Sequence, residues 1–174
     1  MKKKGMVVLH SEDALATGDP TVWGPAVWSI FHILAAHVGK QGIDGDEARD
    51  FEIIINMIPQ ILPCGLCQIH SRTYLQANPF EAIKAAKTAG TLGPFCETWL
   101  LTFHNAVRTQ NEQPIEITTL EQLRALYVGK TIEKKHLSLL VANVSYGIRT
   151  ALIKRDVWQR WYILLNRLKV MSNA

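Results

Sequence analysis

A chain of 174 residues is long enough for one domain, with or without an extension, and can bury roughly two thirds of its unfolded surface without a disulfide framework. Hydrophobic residues make up 48% and charged residues 20%, which excludes a disordered or fibrous chain, and three cysteines exclude a secreted disulfide scaffold. The net charge of +4 suits anionic ligands, acidic partners or a membrane surface; it does not establish nucleic-acid binding, and no nucleic-acid partner is expected.

Residues 1–20 read as a flexible arm, with lysines at positions 2–4, then Ser11, Glu12 and Asp13, then Gly18, Asp19 and Pro20. The opening imitates a signal peptide briefly, but its apolar run stops at His10 and Glu12, short of the region such a signal needs. No apolar run approaches a membrane span. No integral membrane segment is therefore expected, and a cytoplasmic, reducing compartment is the default. From Trp23 onward Trp28, Phe31, His32, Ala35 and Ala36 recur at helical spacing, and Gly39 stops the run. Residues 42–46 read as a loop with Asp46 as N-cap. A second helix follows from residue 47 to about 62, buried through Phe51, Ile54, Ile55, Ile58 and Leu62.

Pro59 and Pro63 disturb the end of that helix and set up a third, which ends near Gln76. A turn at Asn78 and Pro79, a short helix over 80–87 and a loop over 90–94 lead to a long helix from Phe95 to about Gln110. Its inward face is Trp99, Leu100, Phe103 and Val107. Thr118 or Thr119 caps a further helix with Leu120, Leu123 and Leu126, stopped by Gly129, and Thr131 caps another start. Residues 137–170 are mostly amphipathic helix, with Val144, Ile148, Trp161, Leu165 and Leu168 among the apolar members and Gly147 as a candidate break. No repeat or hairpin is visible. The expected fold is all-α, with about four core helices over 23–112 and a helical extension.

The chemistry concentrates in Pro63-Cys64-Gly65-Leu66-Cys67-Gln68-Ile69-His70. On a helix, Cys64, Cys67 and His70 share one stripe, with both sulfurs close enough to bond. Pro63 suits a first helical turn. Cys64 then meets the positive end of the helix dipole, which favours a thiolate. A thiolate beside a second thiol is the pair that dithiol–disulfide exchange needs. Zinc is the competing reading, with Cys64, Cys67, His70 and either Cys96 or His104 as ligands, although a second CxxC or HxxxH knuckle is missing. Covalent haem would need histidine where Gln68 stands. Two inert buried cysteines would make the spacing a coincidence.

Three further features accompany the pair: Trp28 with His32 one turn later and His37 beyond, then His70, and then the run from Trp99 to Arg108. Each alone reads as ordinary core or surface. Together they supply aromatic walls, imidazole and amide groups and a cation, which suit a planar cofactor with a nucleotide tail. No GxGxxG or Walker loop is present, so a Rossmann or P-loop mode is unsupported.

Three blocks carry a resemblance: 23–32 (WGPAVWSIFH), 64–70 (CGLCQIH) and 99–107 (WLLTFHNAV). In order and approximate spacing they resemble the signature blocks of the Erv/ALR flavin-linked sulfhydryl oxidases, over about residues 22–114, and Trp23-Gly24-Pro25 is closer to the viral branch. The resemblance implies a four-helix bundle with a short fifth helix at 21–115, holding FAD, followed here by a helical extension at 116–174. It implies a homodimer. Cys64 would be the sulfur attacked by a substrate thiolate and Cys67 the one facing the flavin. Gly24, Trp28, His32, His37, His70, Trp99, His104, Asn105, Val107 and Arg108 would line the FAD site with Cys67. Electrons would pass from a protein dithiol, or a thioredoxin-like carrier, through Cys64–Cys67 and FAD to molecular oxygen, giving hydrogen peroxide. A viral member would work in the host cytoplasm or the virion.

The chain departs from the family pattern. His37 stands at a tyrosine position, Ser71 follows the CxxCxxH histidine in place of phenylalanine, and Arg108 replaces the last asparagine of HNxVN. Gln113 stands near an expected lysine, which leaves Arg108 as a candidate cation for phosphate. Leu101 occupies the first position of the usual structural cysteine pair, no distal shuttle CxxC exists, and Cys96 reads as buried and inert.

Overall fold

The computed structural model describes residues 16–174, and every regular element among them is helical: α1 (Pro20–His37), α2 (Asp44–Asn56), the short α3 (Ile58–Ile61), α4 (Gly65–Ala77), a 3₁₀ turn (Phe80–Ala82) running into α5 (Ile83–Thr88), α6 (Leu92–Gln110), α7 (Leu120–Tyr127), α8 (Lys134–Arg149) and α9 (Arg155–Ser172). Four long helices, α1, α2, α4 and α6, with the short α5 form the bundle, and α7 to α9 follow it.

Most of the expected arm, residues 1–15, lies outside the described residues. Its last part is not a free arm. The Gly18 N–H donates to Asn143 Oδ1 at 3.2 Å, and the Gly18 carbonyl accepts from Trp23 Nε1 at 3.1 Å. Asp19 then caps α1 by accepting the Thr21 N–H at 2.8 Å, so the helix starts at Pro20, ahead of the apolar spacing. A proline at N1 loses no hydrogen bond, since that N–H has no partner in the helix.

Other boundaries also moved. α2 begins at Asp44, not after Asp46, which lets Asp44, Asp46 and Glu47 stand in its first turn against the helix dipole. It breaks at Met57, and Pro59 sits in the first turn of α3. α6 begins at Leu92, because Gly93 and Pro94 fall in a first turn where a missing N–H costs nothing. α7 is capped by Thr119 in a capping box with Gln122. α8 starts after Glu133, not Thr131, and Gly147 lies inside it; the break comes at residues 150–154.

α1 is the central helix. Trp23, Val27, Ile30, Phe31, Leu34 and Ala35 are all buried, and α6, α7, α8 and α9 pack around it. A helix covered on several sides needs apolar residues on several sides, and its sequence has them. α9 lies on α2 and α3. There Trp161 donates Nε1–H to the Ile54 carbonyl at 3.0 Å and meets Phe31 edge-on at 6.3 Å. Burying a side chain of this size stabilises by about 3 kcal/mol. The fully buried Asp50 is held by Arg167 from α9 and by Arg49 at 3.3 Å. The apolar face of the extension therefore packs on the bundle of its own chain.

Candidate active site

α4 opens on the disulfide. Cys64 is its N-cap, with extended backbone, and the Cys64 Sγ accepts the Cys67 N–H at 3.1 Å. Pro63 therefore precedes the cap and is not in the first turn, since the sulfur fills the role of a capping oxygen. Cys64 and Cys67 are disulfide-bonded, their Cα atoms 5.2 Å apart. No acidic side chain stands in the first turn of α4, so the positive helix end faces the sulfurs unopposed and stabilises a thiolate when the bond opens.

Cys67, Ser71 and Tyr74 follow at helical spacing and share one face of α4. Tyr74 stacks on Phe103 with centroids 4.4 Å apart and meets Trp99 edge-on at 5.5 Å, so this face looks toward α6. The backbone of α4 leans on α3, and rings bridge the space to α6.

The other wall comes from α1, α6 and α7. Trp28 lies flat on His104, centroids 4.2 Å apart and planes 8° apart. His32 is buried and its Nε2 lies 3.0 Å from His104 Nδ1, while Tyr127 stacks on His32 at 5.0 Å. Burial, with the nearby His104, pushes the His32 pKa down to about 3. Burial, with the nearby Arg108 charge, pushes His104 down to about 4. Both rings are therefore neutral near pH 7, which suits their mutual hydrogen bond, since the accepting ring must carry an unprotonated nitrogen. His32 Nδ1 is buried without a partner among the described residues, which leaves one polar atom open to a group the chain does not supply.

The remaining expected residues divide. A Cβ on Gly24 would meet open space. His70 is half-buried one turn after Cys67. Trp99 and Val107 are half-buried against the core, and Trp99 is T-shaped to Phe80 at 4.7 Å. Asn105 Nδ2 donates to the Ile117 carbonyl at 2.9 Å, and Arg108 donates to the Pro114 carbonyl at 2.7 Å and pairs with Glu116 at 2.8 Å. Both pin the segment between α6 and α7. His37 stands apart from the cluster. Its ring nitrogens lie 2.8 Å from the Lys130 carbonyl and 3.3 Å from the Ser172 carbonyl, so it ties the end of α1 to the extension.

Sequence reasoning missed Tyr74, Tyr127 and Gln68. Tyr74 was readable, because it follows Cys67 by two helical turns. Tyr127 had no local signal, since only the fold brings α7 to His32.

The zinc ligand set is not assembled. Cys64 and Cys67 hold each other, His104 faces His32 and Trp28, and Cys96 is buried in the core. Among the described residues no group of three His, Cys, Asp or Glu side chains could hold a metal ion. Burial, then the carboxylates of Glu47 and Glu97, pushes the Cys96 thiol well above its ordinary pKa, which makes it a poor relay. A flat heteroaromatic group with a hydrogen-bonding edge fits the residues present: the ring-lined wall, the two neutral imidazoles and the unpartnered His32 Nδ1.

A disulfide at a helix N-terminus, on a helix face that looks toward rings and neutral histidines in an all-helical bundle, defines a helical dithiol–disulfide protein. The chain belongs to the Erv1/Alr family, whose model matches residues 25–125. It is 29% identical over 99 residues, 56% of its length and 86% of the relative's, to the 347L protein of Invertebrate iridescent virus 6. It is 28% identical over 112 residues, 64% of its length and 87% of the relative's, to the FAD-linked sulfhydryl oxidase of African swine fever virus. To the FAD-linked sulfhydryl oxidase ERV1 of Oryza sativa subsp. japonica it is 29% identical over 92 residues, 53% of its length and 43% of the relative's. No solved structure matches.

Proposed function

We propose that this chain is an FAD-linked sulfhydryl oxidase that makes disulfides in protein substrates through Cys64–Cys67. The observation that carries the reading is the placement of that disulfide at the N-terminus of α4, on a helix whose Cys67 face looks toward the Trp28–His32–His104 side of the bundle. Family membership and the names of the relatives support it.

A substrate thiolate attacks Cys64 Sγ, a substrate–Cys64 bond forms, and the Cys64–Cys67 bond breaks. The second substrate thiolate displaces Cys64. The substrate leaves as a disulfide, and the dithiol on α4 keeps the two electrons and two protons. The end of α4 stabilises the thiolates in both exchanges. Cys67, on the face shared with Tyr74, is the sulfur that delivers the electron pair inward. The chemistry FAD supplies when bound is acceptance of that pair and its transfer to molecular oxygen, giving hydrogen peroxide. Trp28, Trp99 and Val107 would wall the cofactor, Gly24 leaves it space, and His32, His70, His104 and Asn105 would offer hydrogen bonds to it. Arg108 would reach a phosphate only by opening its pair with Glu116.

The bundle over 21–115 carries this chemistry and residues 116–174 form the extension. No described helix is long and apolar enough to cross a membrane. An oxidase overrides a reducing poise locally, so cytoplasm, a host's included, or a virion is a workable site. A thioredoxin-like carrier or a flexible cysteine-bearing tail would reach Cys64 without a shuttle pair. The homodimer implied by the family would use surface that α8 and α9 leave open, such as the side of α9 with Ile163 and Val170, both exposed.

The test is the visible absorbance of the purified protein. Flavin bands bleached by a dithiol and restored by air are expected, and a colourless protein that added FAD cannot colour would defeat the reading. Cys64→Ser and Cys67→Ser are each expected to abolish thiol oxidation while the far-UV circular dichroism stays that of the parent. Full turnover by either variant would remove the disulfide from the mechanism.

A further inference from the structure

The α8–α9 turn, residues 150–154, lies outside the family-matched segment and packs against the redox loop. Gln68 Nε2, one residue past Cys67, donates to the Leu62 carbonyl at 2.9 Å and to the Leu152 carbonyl at 3.0 Å. Both of its amide hydrogens are thereby used to tie the turn to the strand of chain that leads into Cys64. Gly147 allows the contact, because a Cβ there would stand 3.3 Å from Pro63 Cα and 2.6 Å from Ile153 Cδ1. Leu152 comes to the start of α4, 3.8 Å from where a Cβ of Gly65 would be.

This contact leaves an apolar surface beside the sulfurs. Leu66 is 62%, Ile69 56% and Leu152 41% exposed. Gly65 and Ile69 lie on one face of α4 a turn apart, so Leu152 extends the side that Ile69 presents. Single exposed leucines are ordinary, whereas apolar residues gathered at one place mark an interaction site. The turn and the helix ends that flank it are basic, three cations against the single exposed carboxylate of Asp156. Arg149, Lys154 and Arg155 are exposed, and none of them is in an ion pair among the described residues.

We propose that the α8–α9 turn and the exposed side of α4 form the surface on which the substrate polypeptide docks, and that this surface selects a cysteine-bearing segment with acidic and apolar side chains. The proposal rests on Cys64–Cys67 being the redox disulfide. An apolar side chain beside the substrate cysteine covers Leu66, Ile69 and Leu152, and flanking carboxylates meet Arg149, Lys154 and Arg155. Docking aligns the substrate thiolate with Cys64 and adds no redox step of its own.

The experiment measures oxygen consumption by the FAD-loaded full chain with two reduced dicysteine peptides, one flanked by Asp, Glu and Leu, the other with Lys in place of the acids. Dithiothreitol, which needs no docking, is the reference. The wild type is expected to show kcat/KM about tenfold higher for the acidic peptide, through KM, with the preference collapsing as salt rises toward about 0.5 M. In an Arg149→Glu, Lys154→Glu, Arg155→Glu chain the preference is expected to invert, and Leu152→Ser is expected to raise KM for both peptides. Equal kcat/KM for the two peptides in the wild type, or a preference unmoved by salt and by the charge reversals, overturns the docking surface. Failure of the wild type to oxidise dithiothreitol instead overturns the redox reading beneath it. The salt series uses the wild type alone, so it decides even if a variant fails to fold.

Discussion

His32 and His104 sit together as neutral rings in a place where charge is expensive. An unfolded histidine titrates near 6.5, whereas burial holds the folded His32 near 3. Between those values the unfolded chain binds a proton that the folded chain refuses, so stability rises with pH across the window and falls on acidification. By pH 5 His32 alone accounts for a loss on the order of 2 kcal/mol. The urea midpoint is expected to fall between pH 7 and pH 5, and the fall is expected to shrink in His32→Gln. An equal fall in that variant would show that His32 is not the group responsible. These two histidines were readable in the sequence, because each follows a tryptophan on its own helix. That one stacks on the partner's tryptophan was not, since the contact joins residues far apart in the chain.

At the scale of the helices, boundaries depend on single polar atoms. Asp19, Cys64 and Thr119 each place a side-chain acceptor on a first-turn N–H. Asp19 and Thr119 are ordinary caps in type; a cysteine cap is unusual, so the sequence alone points to Pro63 as the first helical residue. Gly93 and Pro94 look like a loop in isolation, although both lie in the first turn of α6. The packing of the helices is less forgiving than their ends. Gly147→Ala would push a methyl group into Ile153 and toward the Pro63 backbone, at a cost of about 1–3 kcal/mol, and a melting temperature several degrees lower is expected. Gly45→Ala, in α2 with open space where its methyl would point, is the control and is expected to gain up to about 1 kcal/mol from helix propensity. Similar melting temperatures for both variants would mean that α8 does not press on Pro63.

At the scale of the whole chain, the extension is part of one hydrophobic core. Leu140, Val144, Trp161, Leu165 and Leu168 are buried with Phe31, Ile54 and Ile58. Removing residues 130–174 would uncover α1 and α2 and leave Asp50 without Arg167, a buried carboxylate short of its main partner. The truncated chain is expected to lose cooperative melting by circular dichroism and to aggregate on a sizing column. A monomer with an unchanged melt would show that the bundle stands alone. The family blocks gave no sign of this dependence, because it is written in contacts between α1 or α2 and residues beyond them. His37 shows the same limit, since its site position was carried by resemblance and its partners are carbonyls of the extension.

The flat stack of Trp28 on His104 has an optical consequence. An indole held face to face with an imidazole, in the wall proposed for the flavin, has its emission governed by whatever shares that wall. Loading the cofactor would give Trp28 an energy acceptor at contact range and darken it. Acid entering His104 would quench it by a different route. If Trp28 walls the flavin as proposed, the protein carries its own fluorophore there, one that would report occupancy and protonation without any turnover.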